Sequence, residues 1–344
     1  MNKHKDSIIL GIESSCDDTS AAILINGVIY SNITANQAIH EQFGGVVPEL
    51  ASRAHQENIV PVVSAALKKA NIKVTELTSI AFTKGPGLLG SLLVGTSFAK
   101  SLSLSLNIPL IEVNHMKAHI HAHFIQEQQE TINTPNFPFI CLTISGGHTQ
   151  IVYVKSPLEM KVVGTTIDDA VGEAFDKAGK VLGLGYPAGP LIDELASKGD
   201  SEKFKFSYPN AGNFNYSFSG LKTQFLNFIK KETKKNSLFI KKNLNDICAS
   251  YQSHLVNYLL KILDKALEKY PCSDIAIAGG VSANSKLRNE FEKFGRIKNC
   301  NTFVPKIGYC TDNAAMIAMS GSFMEKEKKF ADLSAVATAR FPIS

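Results

Sequence analysis

The chain contains no tryptophan and no pair of cysteines in CxxC spacing. Its six cysteines stand singly between residues 16 and 310. This scatter argues against a disulfide framework. Isolated thiols are typical of a reducing compartment, so the sequence predicts a cytoplasmic protein.

Long apolar runs are also absent. The N-terminal segment MNKHKDSIILGIESS is basic, but only three apolar residues run together before Gly11, too few for a signal-peptide core. The least polar stretch, residues 88–106, carries Lys100 and five serines. We therefore expect a buried helix there and no membrane span.

The composition is that of a globular protein with an uneven charge. With 344 residues, of which 44% are hydrophobic, the chain is long enough for two domains or one large one. Residues 222–242 hold seven lysines and one acid, Glu232. The net charge of this segment is therefore +6, whereas that of the whole chain is +5. Such a stretch either attracts a polyanion or forms a solvated helix face.

Two histidines one helical turn apart suggest a metal site. His115 and His119 in NHMKAHIHAH stand at i and i+4, so one helix face presents both rings. Zinc proteases carry a glutamate beside the first histidine, whereas this chain has Met116. A histidine-rich surface helix is the alternative, and His121 and His123 add ambiguity because His123 also lies four residues from His119.

Two segments share one layout. Residues 8–25 and 139–154 each read as strand, polar turn, strand. The turns, SSCDDTS and SGGHT, are rich in residues whose N–H and hydroxyl groups can bind phosphate. Either could be an ordinary hairpin, but a repeat about 130 residues apart favours a duplicated domain with a cleft between the halves.

Strand–helix alternation predicts parallel sheets. Strands at residues 79–83, 108–113 and 274–278 are each followed by a turn and a helix. Ligands of such sheets bind beyond the carboxyl ends of the strands, and the histidine pair follows the second of these ends. Asp312, before the apolar segment AAMIAMSGSFM, could be a helix cap, like Thr311, or a metal ligand.

Nine motifs follow one another between about residues 8 and 325: GIESSCDDTSAAI, GGVVPELASRAH, TKGPGLLGSLLVG, NHMKAHIHAH, LTISGGHTQ, DDAVGEAFDKAGKVLGLGYPAGP, YSFSGLKT, AGGVSANSKLR and YCTDNAAMIA. Together they closely resemble the bacterial TsaD family, once called Gcp, whose members make threonylcarbamoyladenosine in tRNA. The resemblance implies an α/β, actin-like or sugar-kinase-like (ASKHA) fold with two RNase H-like domains around a central cleft. The expected domains are 1–135 and 136–344, and the C-terminal helices could pack back on the first.

The resemblance also implies an activity and its partners. The family transfers the threonylcarbamoyl group from threonylcarbamoyl-adenylate to the exocyclic amine of adenine 37 in tRNAs that read ANN codons. It works with a smaller paralogous subunit and an ATPase, TsaB-like and TsaE-like, and with no membrane. One divalent metal is implied, iron first and zinc second, together with an adenylate- or ATP-type ligand in the cleft.

The family's functional residues map onto positions of this chain. The implied metal ligands are His115, His119 and Asp312. His121 and His123 are flanking residues in this interpretation. The implied substrate contacts are Thr143, Ile144, Ser145, Gly146, Gly147, Asp176, Gly189, Asp193 and Asn284. Two departures stand out: Ala188 where a glycine is frequent, and Lys84 where a small residue precedes GPG.

The chemistry suggests further roles. Ser145 and the adjacent glycines could stabilise developing negative charge. Asp17 or Asp18 is our candidate catalytic base, with local turn chemistry as the alternative. The lysine-rich segment 230–242 is a candidate tRNA contact.

Three other functions compete with this interpretation. The histidine pair suggests a metalloprotease, but the missing glutamate argues against it. The fold alone also suits an ATPase or sugar kinase. A non-catalytic scaffold subunit is the third, and the joint presence of His115, His119 and Asp312 argues against it.

Overall fold

The computed structural model describes residues 6–37, 40, 43–130 and 132–343, so residues 1–5 of the basic N-terminal segment lie outside it. The chain divides into two compact units. Residues 1–134, 157–160 and 306–344 form unit 1, and residues 135–156 and 161–305 form unit 2. Unit 2 therefore ends at Pro305, because the last segment of the chain returns to unit 1.

The helices within the described ranges differ from the sequence predictions mainly at their starts. The first begins at Pro48, although apolar spacing typical of a helix begins only at Ile59, because its first half is polar. In chain order the helices are α1 (Pro48–Ala70), α2 (Leu89–Leu106), α3 (His115–His121), α4 (Val171–Leu182), α5 (Ala188–Ala196), α6 (Ser219–Lys235), α7 (Phe239–Lys269), α8 (Ser285–Lys298) and α9 (Ala314–Lys326).

Unit 1 is built on a mixed sheet. Its strands are β1 (Ile8–Glu13), β2 (Thr19–Ile25), β3 (Val28–Ala35), β4 (Ser79–Gly85), β5 (Leu110–Asn114) and β6 (Gln126–Glu127), in the order β5-β4-β1-β2-β3-β6. β1 to β3 are antiparallel neighbours, whereas β4 runs parallel to β1, and β5 runs parallel to β4.

Both faces of this sheet are buried. Leu10 and Ile12 of β1 belong to an apolar cluster with α1 and α2, whereas Ile9 belongs to a second cluster with α3 and α9. α9 lies so close to β1 that a Cβ on Gly11 would come within 2.5 Å of the carbonyl oxygen of Ala314. Only glycine permits this packing of strand against helix.

Unit 2 repeats the same topology. Its strands are β7 (Phe139–Ile144), β8 (Thr149–Val154), β9 (Met160–Thr165), β10 (Asp274–Ala278) and β11 (Asn301–Phe303), in the order β11-β10-β7-β8-β9. β7 and β8 form the antiparallel hairpin, and β10 and β11 continue the sheet in parallel, as β4 and β5 do in unit 1. The two hairpins predicted as a repeat are therefore equivalent in the two sheets.

Helices α4 to α8 enclose the core of unit 2. Alternate residues of its central strands, such as Leu142 and Ile277, pack with Phe225 and Leu255 from the helices. Helix α7 begins at Phe239, although the long amphipathic pattern begins only at Leu244, and the non-helical backbone of Asn243 (φ −125°, ψ 16°) marks a kink between the two.

Helix α2 is long and apolar enough to cross a membrane by length and composition alone. One such helix is weak evidence, because core helices of soluble proteins pass the same test. The prediction of a buried helix is right for one face, where Leu92 and Ala99 are inaccessible, and wrong for the other, where Leu89, Leu93 and Leu104 are exposed.

Candidate active site

The histidine pair is positioned by the junction of β5 and α3. Asn114, the last residue of β5, caps α3 by accepting a hydrogen bond from the backbone N–H of Lys117 (3.1 Å). The helix therefore starts at His115 and carries His119 one turn later. Both rings are buried, and their Nε2 atoms lie 3.1 Å apart.

Asp312, from the last chain segment of unit 1, lies beside the histidine pair. The cap of α9 is Asn313, whose side chain accepts from the N–H of Met316 (3.0 Å), so the alternative that Thr311 or Asp312 caps this helix is wrong. The carboxylate of Asp312 instead faces the histidines. Its Oδ1 lies 3.4 Å from Nε2 of His115 and 3.3 Å from Nε2 of His119.

These three donor atoms fit a divalent cation. They form a nearly equilateral triangle with sides of 3.1, 3.3 and 3.4 Å. Ligands at about 2.1 Å from a metal, with angles of about 90–110° between them, stand roughly 3.0–3.4 Å apart. Two imidazoles and one carboxylate form a set that binds zinc or iron and leaves other coordination positions open.

A second carboxylate supports the first histidine. Oε2 of Glu13 lies 3.0 Å from Nδ1 of His115, and the hydroxyl of Ser15 lies 3.2 Å from the same nitrogen. Glu13 is fully buried, and its Oε2 also accepts from the hydroxyl of Thr83 (2.7 Å). Sequence reasoning missed Glu13, although a glutamate ending the buried strand IILGIE was a usable signal.

The charges of this cluster depend on one another. Burial lowers the pKa of His115, but the charges of Glu13 and Asp312 outweigh it and raise that pKa well above the ordinary value. For Asp312, burial acts in the opposite direction and raises the pKa. The neighbouring His115 outweighs burial, so the pKa of Asp312 is lowered overall. A bound cation would displace the proton of His115 and meet two ionised carboxylates. Nδ1 of His119 is buried without a hydrogen-bond partner among the described residues.

The two candidate bases, Asp17 and Asp18, lie in the turn after β1. Asp17 and Asp18 are both half-buried. Burial, followed by the negative charges of Asp17 and Asp312, raises the pKa of Asp18 to about 7. The turn is held in place at Cys16, whose carbonyl is 3.0 Å from Nε2 of His55.

The flanking histidine His121 has a structural role. Its Nε2 lies 2.8 Å from the carbonyl of Pro157, which can only accept, so this nitrogen carries the hydrogen. Nδ1 then accepts from the hydroxyl of Ser320 (2.7 Å). Burial lowers the pKa of His121 to about 4, so the ring is neutral at pH 7.

In unit 2, the SGG turn follows β7. Thr143 and Ile144 are fully buried in the strand, so their side chains do not face solvent. Ser145 closes the turn by donating its N–H to the carbonyl of His148 (2.8 Å). Within the turn, Gly146 and Gly147 border open space, which leaves the turn within reach of a ligand.

Asp176 and Gly189 meet at the start of α5. Oδ1 of Asp176 accepts from the N–H of Ala188 (2.9 Å), and the N–H of Gly189 also bonds to this carboxylate. Burial raises the pKa of Asp176. The departure at Ala188 is accommodated by Gly179, because a Cβ there would lie 2.1 Å from that of Ala188.

Asp193 and Asn284 are joined through a residue that sequence reasoning missed. The amide of Gln252 donates to Oδ1 of Asp193 (2.9 Å) and accepts from the amide of Asn284 (2.9 Å). Asp193 also accepts from the N–H and hydroxyl of Ser285, both at 2.8 Å. Asn284 caps α8 through the N–H of Leu287. This network ties α5, α7 and α8 together.

Hydrogen bonds and ion pairs connect the motif DDAVGEAFDKAGKVLGLGYPAGP to the motif YSFSGLKT. Asp168 accepts from the N–H of Phe218 (2.7 Å) at the start of α6, and Asp169 pairs with Lys177 and Lys222 at 2.9 and 3.0 Å. In unit 1, Lys84 forms an ion pair with Glu112 (2.8 Å). The charge of Lys84, the second departure from the family pattern, is therefore balanced by that of Glu112.

The family model of TsaD, described as tRNA N6-adenosine threonylcarbamoyltransferase, matches residues 28–319. The chain belongs to this family. The TsaD relative from Riemerella anatipestifer, named tRNA N6-adenosine threonylcarbamoyltransferase, is 56% identical over 340 residues, which are 99% of each chain. The relative of the same name from Porphyromonas gingivalis is 54% identical over 339 residues, 98% of this chain and 99% of its own.

Solved structures share the fold. Full-length HypF in its phosphate- and nucleotide-bound form is 14% identical with a TM-score of 0.63, and the match covers 95% of this chain but 48% of HypF. Component A of the (R)-2-hydroxyglutaryl-CoA dehydratase of Acidaminococcus fermentans is 15% identical with a TM-score of 0.51, covering 91% of this chain and 96% of its own. The predicted actin-like, sugar-kinase-like fold class is confirmed. Membership of the TsaD transferase family does not favour the metalloprotease or kinase alternatives.

Proposed function

We propose that this chain transfers the threonylcarbamoyl group from threonylcarbamoyl-adenylate to the exocyclic amine of adenine 37 in tRNAs that read ANN codons. The observation that carries the proposal is the family match over residues 28–319. The reaction forms a bond between the amine nitrogen and the carbamoyl carbon and breaks the bond from that carbon to the phosphate oxygen. AMP leaves, and the amine loses one proton.

The metal ligands in this proposal are His115, His119 and Asp312. They would hold a divalent cation, iron first and zinc second, which would supply Lewis-acid chemistry at oxygens of the threonylcarbamoyl-adenylate. Glu13 and Ser15 hold Nδ1 of His115, so that its Nε2 stays in the donor triangle.

Asp18 is the better candidate for the proton acceptor. An adenine amine is a weak nucleophile, and a positioned base accelerates its attack by taking the proton as the new bond forms. In the metal-free chain, burial and then the neighbouring charges raise the pKa of Asp18 to about 7, which favours this residue over Asp17 as the base. Asp17, which the sequence suggested equally, contributes charge that supports this raised pKa.

Unit 2 supplies the candidate contacts to the donor. The open turn at Ser145, Gly146 and Gly147 can offer N–H and hydroxyl donors to an anionic group. Asp176 and Asp193, each fixed by backbone hydrogen bonds, can accept further bonds from ribose or threonine hydroxyls. These assignments place an adenylate- or ATP-type ligand against unit 2.

The proposal includes protein partners and a cytoplasmic location. A TsaB-like subunit and a TsaE-like ATPase are the expected partners. Exposed apolar residues on helices α1 and α2, among them Val60, Leu93 and Leu104, support a protein-binding surface. No disulfide joins the cysteines of the described ranges, which supports a reducing compartment.

A transfer assay tests the proposal. The purified chain, TsaB-like and TsaE-like subunits, donor made in situ and unmodified tRNA are mixed, and the nucleosides are analysed by mass. Product from the wild type and its loss, with loss of bound metal, in His115→Ala would support both the function and the metal site. Product from both the wild type and His115→Ala would support the transferase function and contradict a role for the metal. No product from the wild type, beside an active TsaD relative, would contradict the function.

A further inference from the structure

The α6–α7 hairpin of unit 2 carries an exposed cationic surface. We call it the lysine face. Glu232, 2.7 Å from Lys235, is the one acidic residue that pairs with any of its lysines within the described ranges. Lys222, earlier in α6, is half-buried and pairs with Asp169, so it does not belong to this surface. The lysine face comprises Lys230, Lys231, Lys234, Lys235, Lys241 and Lys242, all of them exposed.

The lysine face stands on a rigid aromatic support. The ring of Phe204 lies 5.1 Å from that of Phe228 in α6 and 5.7 Å from that of Phe239 in α7, and the latter two rings are 5.8 Å apart. Between the helices, the N–H of Phe239 donates to the carbonyl of Asn236 (2.9 Å). Three packed rings and a tight turn therefore fix the end of one helix against the start of the next.

Folding alone does not account for these charges. Lys230 and Lys234, like Lys231 and Lys235, stand at i and i+4, where like charges destabilise a helix. Lys241 lies in the first turn of α7, at the positive end of the helix dipole, where a cation is unfavourable. Only the lysines in the last turn of α6 lie where the helix dipole favours them.

The chemistry of the surface fits RNA phosphates better than a protein. Lysine is depleted at protein interfaces, which are anchored by aromatic and apolar residues, and the one large apolar residue exposed in this hairpin's described part is Leu238. Ammonium groups act as point charges that neutralise phosphates without reading sequence. With Glu232, the six lysines give this surface a net charge of +5, whereas the rest of the chain is near neutral, so a polyanion is attracted to this surface.

We propose that the lysine face binds the phosphate backbone of the tRNA substrate. This proposal rests on the proposed function, which requires a tRNA. Binding there relieves the repulsion among the lysines and releases counterions from the RNA. The contact fixes the position of the tRNA and does not select its sequence.

The test replaces charge while keeping helix-forming side chains. The variant carries Lys230→Gln, Lys231→Gln, Lys241→Gln and Lys242→Gln. A matched control carries Lys68→Gln, Lys69→Gln, Lys328→Gln and Lys329→Gln, four exposed lysines of unit 1. Binding of unmodified tRNA to the full chain, alone and with its partner subunits, is measured by fluorescence anisotropy between 50 and 200 mM salt, both as rough limits.

We expect the variant to bind tRNA at least tenfold more weakly than the control. Its salt dependence should be shallower by roughly 0.7–0.9 in log K per log salt for each lost contact. Equal affinity and equal slope in variant and control would overturn the proposal. Loss of subunit assembly with unchanged tRNA binding by the chain alone would also overturn it, in favour of an acidic protein partner.

The transfer assay separates this proposal from the proposed function. If the wild type makes product and the variant shows an unchanged KM for tRNA, the lysine face fails and the function stands. If the wild type makes no product but the variant still loses tRNA binding, the function fails and the RNA-binding surface stands.

Discussion

The carboxylate of Glu13 lies 3.0 Å from Nδ1 of His115, although 101 residues separate them along the chain. Glu13 ends β1 and is itself held by the hydroxyl of Thr83 at the corresponding place in β4. This contact orients the ring so that Nε2 faces His119 and Asp312. A carboxylate behind a ligating histidine also raises the basicity of that ligand.

Replacing Glu13 by glutamine should weaken metal binding. Glutamine keeps the size of the side chain but removes its negative charge, and loss of such a supporting carboxylate costs about 10–100-fold in metal affinity. Competition against a coloured chelator measures this affinity directly, without an activity assay. Glu112→Gln, which removes the partner of Lys84 in the ion pair of β4 and β5, is the control and should bind metal normally. Equal affinities would remove Glu13 from the metal centre.

Asp18 should make the metal-free protein less stable as the pH rises. Its pKa is raised in the folded chain, from 3.8 to about 7, so between these values the folded state binds a proton that the unfolded state has lost. The contribution of Asp18 to stability is therefore full below the lower value and disappears as the pH rises through the upper one.

Thermal unfolding of chelator-treated wild type and Asp18→Asn checks this sign. The difference in Tm should be small at the acidic end, should grow in favour of the variant through neutral pH, and should level off above it. A difference that is constant over the whole range would show that Asp18 titrates normally.

Gln252 should contribute more to stability than Gln224, a half-buried glutamine with one exposed hydrogen bond. Its amide serves Asp193 and Asn284 at once and is almost fully buried, so Gln252→Ala leaves both partners short of a hydrogen bond. We expect a loss of about 1–3 kcal/mol in the free energy of unfolding, measured in urea. Gln224→Ala, which loses one exposed bond from the N–H of Ser207, should cost about 0.5 kcal/mol or less. Similar losses in the two variants would contradict a shared network.

Two glycines at helix starts should respond oppositely to alanine. A Cβ on Gly172 would lie 2.6 Å from the carbonyl oxygen of Ser145 and 2.7 Å from Cα of Gly146, so α4 would have to move away from the SGG turn. We expect Gly172→Ala to cost about 1–3 kcal/mol and to raise the KM for the donor. Gly220→Ala, near the start of α6 with open space around it, should be neutral or stabilising by up to about 1 kcal/mol. Unchanged stability and KM in Gly172→Ala would show that the turn tolerates displacement.

Local sequence patterns predict much of the fold and part of the candidate site. The buried hairpin strands at residues 8–25 and 139–154 are visible because their apolar runs are short and bounded by polar turns. The spacing of His115 and His119 predicts their common face because a helix fixes it within one turn. The apolar spacing misses the polar first half of α1, although Pro48 at its first position and Glu49 in its first turn are usable start signals. The start of α7 has neither a capping side chain nor an acidic first turn.

What sequence could not supply is contact between distant residues. Asn313 rather than Asp312 caps α9, and this choice frees the carboxylate of Asp312 for the histidines. Gln252 lies inside a long helix, and only the packing of α5 and α8 against α7 gives its amide two partners. Such pairings depend on tertiary geometry that no periodicity records.

The close packing of α9 on Gly11 has a consequence for how the protein is made. One face of the first sheet, with Ile9, Leu24 and Ile111, is covered by a helix that starts at Ala314. A ribosome that synthesises the chain from its N-terminus finishes all of unit 2 before it produces that helix. Until then the nascent chain presents an open apolar sheet, and Asp312 has not yet emerged to meet the histidines. The core of unit 1 is therefore completed only after the chain beyond Pro305 has been synthesised.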